Sequence, residues 1–428
     1  MRYVVFLLIC CIFTPLAQID DRESEMTYAY ILRAEPYPRI VFINTNSVII
    51  SETQLPLTNA KIAQVVTSNF LISIFTYTNL NERLEPFYLV NAKMGTIQSL
   101  RVGRLSHMQQ RYTHSTDGKM LGVSFLHPET GYSAYLYHIE AAHWVPLLEN
   151  LSRPPQLVWS KTSQQVLVVS GWCPSPDDCD HQLTIFDVAD GSATKQILLS
   201  DYDLGYSAGD SLCGLSWSPS QRYIAFMSAC GSPAEINPKE IYLWDMQKNM
   251  LKQLTNYTKS GSNRSAYILA SYTLLWLTDN DLLIGAIFGD QAELNTQSIH
   301  LQLPELTRTV LSDKAIVEWA VNPKYGLVAA REVFNLNPNS LETSAQVTVA
   351  QLNQQTLTAD NKVALSDGCN LSWSPDGEVL ASTLHRTQCS APVEAIVFYD
   401  RMGQEISRHV PAGDPTQRQI IPIGWLAR

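Results

Sequence analysis

Apolar and polar residues alternate with a period of two in many short segments of the chain, which is the pattern of β-strands. Two stretches are near copies of each other: CGLSWSPSQRYIAFMSAC at 213–230 and CNLSWSPDGEVLASTLHRTQC at 369–389. Each holds an apolar strand ending in Trp, a Ser-Pro turn and a second apolar strand. The pattern therefore predicts a repeated two-stranded unit.

Weaker copies extend this unit along the chain. They centre on Trp159, Trp276 and Trp319, on the degenerate positions Val66 and His114, and on Trp425, which ends a half-copy. Six tryptophans would then share one repeat position, where we expect them to pack in the core.

A second repeated unit, a strand ending in a polar residue followed by a short turn and another strand, interleaves with the first. Its turn-entry residues are Asn44, Asn91, His138, Asp187, Asp245, Gln302, Gln351 and Asp400. A single Asp at such a place is expected to accept hydrogen bonds from the N–H groups of the turn. Four strands in a repeat of about 50 residues are the signature of a β-propeller.

The two ends of the chain predict how the repeats close. Three strand-like pieces, around 28–32, 39–44 and 48–52, open the chain, and one lies around Trp425. Together they would form one split blade and close the ring without a free sheet edge. The predicted fold is all-β: a single β-propeller over 19–428 with eight four-stranded blades. Seven blades are the alternative, because the copies at Val66 and His114 are weak.

The sequence WSPDG after an apolar strand, followed by IYLWD on a third strand, resembles the WD40-like repeats of TolB-type propellers. The same repeats form the propeller of prolyl-oligopeptidase-type enzymes. The resemblance covers 27–428 by period and is strong in motif at 213–246 and 369–400. It implies protein or peptide binding in an extracytoplasmic space. TolB carries an additional α/β domain for which this chain has no room, so a role in the Tol complex is not implied.

Charge excludes one class of function. The chain has 30 Lys and Arg against 40 Asp and Glu, a net charge of −10, and only 16% charged residues. Nucleic-acid binding needs clustered basic residues, so we expect no nucleic-acid partner. The apolar fraction of 45% also argues against disorder.

The N-terminal segment predicts export. Arg2 precedes an unbroken apolar run from Tyr3 to Phe13, and Ala17 offers a cleavage point. We expect residues 1–18 to be a signal peptide and the mature chain to be secreted or periplasmic. An uncleaved membrane anchor is the alternative. No later segment reaches about 18 continuous apolar residues, so no membrane span is expected in the mature chain.

Six cysteines lie beyond this segment, and an even number in an exported chain predicts disulfides. The repeat would place the cysteines of each near-copy at one end of neighbouring strands, within bonding range. The predicted pairs are Cys213–Cys230, Cys369–Cys389 and, by remainder, Cys173–Cys179. The last pair lies in CPSPDDCDH, where a metal site is the alternative; its cysteine spacing is wider than zinc usually takes.

Catalytic motifs are weak. The string GYSAG around Ser207 matches G-x-S-x-G, yet that motif needs a preceding strand and a following helix, and here it lies in a loop between blades. Five histidines fall in one blade without a ligand signature: His107, His114, His127, His138 and His143. We therefore predict no catalytic residue, no metal and no cofactor.

The longest connections are predicted at one face of the propeller. They are 170–182, 200–212, 229–240, 256–270, 286–297, 331–345 and 385–393. Function tends to reside on such loops, and the candidate binding residues in them are the aromatic Trp172, Tyr202, Tyr206, Tyr257 and Tyr267. We expect a monomeric, non-catalytic module that binds a protein, peptide or glycan. The alternatives are a carbohydrate-binding propeller and a propeller enzyme (lyase, lactonase or cyclase) acting in the central channel.

Overall fold

The structure is a computed structural model of the 428-residue chain. It describes residues 27–33, 38–55, 61–68, 71–77, 86–91, 96–101, 111–127, 130–175, 178–202, 212–228, 240–255, 274–289, 294–303, 307–312, 314–322, 324–334, 344–352, 359–365, 368–385, 389, 391–413 and 419–426. No helix in these residues is long and apolar enough to cross a membrane.

The described residues form strands, with one short 3-10 helix at Leu199–Asp201. The first fifteen strands are β1 Thr27–Arg33, β2 Arg39–Ile43, β3 Ile49–Gln54, β4 Lys61–Ser68, β5 Leu71–Tyr77, β6 Pro86–Asn91, β7 Thr96–Arg101, β8 Arg111–His114, β9 Met120–His127, β10 Gly131–His138, β11 His143–Leu151, β12 Gln156–Trp159, β13 Gln165–Ser175, β14 Asp178–Asp187 and β15 Ala193–Leu198. The remaining strands are β16 Cys213–Trp217, β17 Tyr223–Met227, β18 Ile241–Asp245, β19 Met250–Gln253, β20 Leu275–Trp276, β21 Asp281–Gly289, β22 Leu294–Gln302, β23 Thr307–Ser312, β24 Ala315–Asn322, β25 Leu327–Phe334, β26 Ser344–Leu352, β27 Ala359–Ala364, β28 Cys369–Trp373, β29 Val379–His385, β30 Val393–Asp400, β31 Glu405–His409 and β32 Gln419–Leu426.

These strands make eight four-stranded antiparallel sheets, which confirms the predicted all-β propeller and the larger blade number. Blades 1 to 7 are formed by β4–β7, β8–β11, β12–β15, β16–β19, β20–β23, β24–β27 and β28–β31. Blade 8 combines β1, β2 and β3 with β32. The predicted pairing of N-terminal with C-terminal strands is present, since β1 runs antiparallel to β32 with Tyr28 opposite Trp425.

The apolar core lies between blades. Each large cluster of buried residues combines side chains from two neighbouring sheets. In β17, Tyr223 and Ala225 pack toward blade 5, while Ile224 and Phe226 pack toward blade 3. Strands buried on both faces carry few charged side chains, and this arrangement explains the low charge content of the sequence.

Side chains in the turns explain the repeated Ser and Asp. The Ser374 hydroxyl accepts the N–H of Val379 at 2.9 Å, and Ser218 accepts the N–H of Tyr223 at 3.1 Å. At the next turn of blade 7, Asp400 Oδ1 accepts the N–H groups of Met402 and Gln404 at 2.9 and 2.8 Å, as predicted. Asp187, Asp245 and Asn44 accept turn N–H groups in the same way.

The repeated tryptophans join neighbouring blades. The indole N–H groups of Trp159, Trp217, Trp276, Trp373 and Trp425 donate to backbone carbonyls in the first strand of the preceding blade, at 2.9–3.3 Å. Trp217 donates to Val158, the residue before Trp159, whereas Trp373 donates to Ala320, the residue after Trp319.

The assignment of Trp319 to the shared repeat position is therefore wrong. Val321 occupies that position in blade 6, and Trp319 lies two residues earlier on the same strand. The turns of blades 6 and 7 have the same length, since Val321 pairs with Val328 as Trp373 pairs with Leu380. The repeat position of blade 6 holds Val in place of Trp, and the nearby Trp319 misled an alignment based on Trp.

Candidate functional site

One end of the blades carries the long connections. At the other end, the links from first to second strand and from third to fourth strand are short, and those that the structure describes in full are tight turns. The longest segments all connect second to third strands or successive blades; they are 102–110, 199–212, 228–240, 254–274, 335–343 and 410–418. We call this end of the blades, with the strand residues that lead into it, the loop face.

Two of the predicted inserts are mostly regular strand. Residues 170–182 fall in the β13–β14 hairpin, where Gly171 is opposite His181 and Trp172 is opposite Asp180. Residues 286–297 likewise fall in the β21–β22 hairpin. The prediction of these two inserts as long connections was wrong, because cross-strand pairing extends to Ser175 and Asp178 in the first and to Gly289 and Leu294 in the second.

Of the five predicted aromatic residues, the structure describes the side chain of Tyr202 alone. Trp172 lies within β13, and its side chain is outside the described part. Tyr202 is half-buried, packs against the cluster between blades 3 and 4, and has its hydroxyl 3.5 Å from the Asn249 carbonyl. Tyr206, Tyr257 and Tyr267 lie outside the described residues. Tyr202 therefore makes packing contacts, and the binding role of all five residues remains a prediction.

The cysteines support the loop face as a constrained region. Cys369 and Cys389 form the predicted disulfide, with their Cα atoms 5.8 Å apart. Cys213 is also disulfide-bonded, while its predicted partner Cys230 lies outside the described residues. The side chains of Cys173 and Cys179 are outside the described part too, although their backbones adjoin the Trp172–Asp180 pair. The predicted Cys369–Cys389 pair is confirmed. The Cys213–Cys230 and Cys173–Cys179 pairs remain predictions.

A carboxylate from blade 6 reaches into blade 7 at this face. Glu318 accepts the backbone N–H of Asn370 at 3.1 Å and that of Leu371 at 2.5 Å, one on each oxygen. The register of β28 is irregular between Cys369 and Ser372, and Asn370 has a φ of 54°. A left-handed residue turns consecutive N–H groups toward one point, which makes a concavity for an anion. Glu318 fills that concavity.

Blade 7 surrounds the same point with a polar network. Asn370 donates its side-chain amide to Thr383 Oγ1 at 2.8 Å, and this hydroxyl donates to the Cys369 carbonyl at 2.9 Å. His385 Nε2 lies 2.9 Å from Thr383 Oγ1, and its Nδ1 lies 2.6 Å from the Ala391 carbonyl. The network therefore connects the disulfide-bonded strand with the end of β29.

Burial sets the electrostatics of the carboxylate. Desolvation raises the pKa of Glu318, and this is partly offset by the two N–H groups and by the charge of Arg331. Arg331 is directly across the β24–β25 pair from Glu318. Nearby, Lys314 Nζ is 3.7 Å from the carboxylate of the buried Glu332. A half-buried carboxylate with two backbone donors is suited to holding two blades together.

Sequence reasoning missed this cluster. Glu318, Asn370 and Thr383 match no catalytic or metal-ligand spacing, and they meet only because the bulge in β28 turns toward the preceding blade. One available signal was Cys-Asn-Leu-Ser-Trp beside the near-copy Cys-Gly-Leu-Ser-Trp, since Asn and Gly are the residues that most readily adopt a positive φ.

The other candidate chemistry of the sequence does not converge among the residues that the structure describes. Ser207 and His107 lie outside the described residues. His114 takes the repeat position of Trp, as predicted, and burial lowers its pKa to about 4. His138 and His143 stack on each other across a turn with their rings 4.2 Å apart. Within the described part of the chain, no group of three or more His, Cys, Asp or Glu could hold a metal ion.

Comparison with known proteins identifies the fold only. No family model matches the chain, and no curated protein matches it either. The β-propeller domain of the Trilobed protease from Pyrococcus furiosus matches with a TM-score of 0.50 and 12% identity, over 84% of this chain and 100% of that one.

Two further solved structures are similar. A prolyl endopeptidase structure matches with a TM-score of 0.51 and 12% identity, over 84% of this chain and 51% of that one. A eukaryotic initiation factor matches with a TM-score of 0.51 and 9% identity, over 92% of this chain and 98% of that one. At such identities the likeness concerns fold alone. The chain is a β-propeller that resembles the propeller domains of prolyl-oligopeptidase-type proteins.

Proposed function

We propose that this protein is an exported, non-catalytic β-propeller that binds a protein or peptide partner through the loop face. The observation that carries the proposal is the distribution of connections: the longest segments lie at one end of the blades, and the links at the other end are short. A rigid scaffold with variable loops on one side is the usual arrangement for recognition.

The disulfide supports both parts of the proposal. Cys369–Cys389 ties the first strand of blade 7 to a loop between its second and third strands, so this part of the face is held in place before a partner arrives. Preorganised loops lose less conformational entropy on binding. Disulfides also persist in oxidising compartments outside the cytoplasm.

The polar cluster of blades 6 and 7 supports a binding role over catalysis. Both oxygens of Glu318 accept backbone N–H groups, and both ring nitrogens of His385 lie within hydrogen-bond distance of an oxygen. A general acid or base needs a free position facing the reacting group. These side chains instead stabilise the blades that carry the loops.

The test is affinity capture from the extracytoplasmic fraction of the source organism, with the purified mature chain as bait. We expect a defined partner to be lost when residues 203–211 and 256–273 are replaced by short Gly-Ser linkers. The matched control is Met402→Lys, which changes an exposed side chain (74% exposed) in a tight turn at the opposite end. Capture that survives the loop replacement, or is lost only with Met402→Lys, would place binding elsewhere and contradict the proposal.

A further inference from the structure

Blade 4 repeats the bulge of blade 7. Cys213 is opposite Met227 and Ser216 is opposite Ala225, with an irregular register between them. Cys369 and Ser372 pair with β29 in the same way. The residue after each cysteine is left-handed, with a φ of 62° at Gly214 and 54° at Asn370. The backbone of β16 therefore turns the N–H groups of Gly214 and Leu215 as β28 turns those of Asn370 and Leu371.

The tryptophan hydrogen bonds show which residue of the preceding blade approaches each bulge. Trp373 donates to Ala320, and Trp217 donates to Val158. Two residues before these carbonyls lie Glu318 in blade 6 and Gln156 in blade 3. Gln156 is thus the structural counterpart of Glu318.

Gln156 places no hydrogen-bond acceptor against the N–H groups of the blade 4 bulge. Its Nε2 donates to the Leu212 carbonyl at 3.0 Å. Among the side chains that the structure describes, none accepts a hydrogen bond from the N–H of Gly214 or Leu215. The second Nε2 proton of Gln156 is available to a ligand, because a primary amide nitrogen carries two donors.

The blade 4 concavity lacks the polar side chains of its counterpart. Gly214 has no side chain where blade 7 has Asn370, and Met227 replaces Thr383. Gly214 and Leu215 are both half-buried, and the exposed surface of Gly214 is backbone because this residue has no side chain. They lie at the loop face, immediately after the long connection between β15 and β16.

We propose that the N–H groups of Gly214 and Leu215, together with the Gln156 amide, form a carboxylate-binding site for a peptide partner. The ligand is an Asp or Glu side chain or a C-terminal carboxylate, which offers the same two oxygens as Glu318 offers in blade 7. Hydrogen bonds from backbone N–H groups to a carboxylate are charge-assisted and stronger than neutral ones. The inference rests on the proposed function and names the chemistry that the loop face recognises.

The experiment is a titration of the deuterated, ¹⁵N-labelled mature chain followed by TROSY spectra. N-acetyl-glutamate N-methylamide presents a side-chain carboxylate, N-acetyl-alanine presents a terminal one, and N-acetyl-glutamine N-methylamide is the neutral control. We expect saturable shifts of the Gly214 and Leu215 amides with one or both acids and none with the neutral compound. The acid that binds more tightly identifies the source of the carboxylate.

Two variants make the test specific. Gln156→Glu supplies the carboxylate from within the chain, so it should weaken binding of either acid at least tenfold and raise the melting temperature. Glu318→Gln changes only the blade 7 counterpart and should leave binding at Gly214 unchanged.

The inference is overturned if neither acid shifts these amides, or if Gln156→Glu binds the acids as wild type does. Loss of partner capture on loop replacement, with no shift from either acid, would refute this site while leaving the proposed function in place.

Discussion

Tyr28 and Trp425, from opposite ends of the chain, lie directly opposite each other in the β1–β32 pair with their ring centroids 5.5 Å apart and nearly perpendicular. The Trp425 indole N–H also donates to the Ser372 carbonyl of blade 7 at 2.9 Å. The Trp425 side chain therefore joins the N-terminal and C-terminal strands of blade 8 and attaches them to blade 7.

Replacing Trp425 by Ala should be strongly destabilising. The change removes the edge contact with Tyr28, the packing against Phe398 and the hydrogen bond to Ser372. We expect a loss of about 3 kcal/mol in the free energy of unfolding, measured by urea denaturation. Trp425→Phe keeps a ring and should lose far less. Equal stability of the Ala and Phe variants would show that the ring contacts contribute little.

The two tryptophans of blades 6 and 7 should respond differently to the same change. Trp373 donates to Ala320 at 3.0 Å, whereas the buried Nε1 of Trp319 has no hydrogen-bond partner in the described structure. Trp373→Phe should cost about 1 kcal/mol more than Trp319→Phe, because only the former breaks a hydrogen bond. Thermal and urea unfolding of both variants measure the difference. If Trp319→Phe cost more stability than Trp373→Phe, the original assignment of Trp319 to the repeat position would be favoured.

Breaking the blade 7 disulfide should lower stability without unfolding the chain. Cys389→Ser opens the link to Cys369, and the loss is expected to be about 2–4 kcal/mol. Because Cys369 is buried, its freed thiol should react slowly with a thiol reagent in the native state. Addition of reductant should destabilise the wild type more than this variant; identical responses would mean that the bond does not constrain the fold.

Stability should fall in mild acid through His114. Burial lowers its pKa to about 4 in the folded state, against an ordinary value near 6.5. Its contribution is fully present above pH 6.5 and is lost as the pH falls toward 4, since the unfolded state binds the proton first. The slope from this group is at most about 1.4 kcal/mol per pH unit.

His114→Phe removes the titrating group, so its urea-unfolding free energy should depend less on pH between 6.5 and 4. A slope equal to that of the wild type would mean that other groups control the acid response.

Much of the fold was predictable because it depends on local patterns. Period-two alternation located most strands, and the polar residues at strand ends marked the turns that Asp400 and Ser374 stabilise. The split blade followed from counting strands, and β1 pairs with β32 as expected.

The candidate site was not predictable for a physical reason. Glu318 becomes significant only when the bulge at Asn370 faces it from the next blade, and that register is a tertiary property. Trp319 was misplaced because Val321 stands at the repeat position of blade 6, while a Trp lies two residues earlier on the same strand. Residues 170–182 were predicted as a long connection, although pairing between β13 and β14 extends to Ser175 and Asp178.

The composition of blade 8 also determines when the fold can be completed during synthesis. Residues of β1 emerge from the ribosome early but lack their partner until β32 has been made. Until then, the edge of β1 has unsatisfied backbone groups and can pair with other chains. The nascent protein is therefore prone to aggregation until β32 has been synthesised, and a chaperone that shields β1 during this interval would improve its yield.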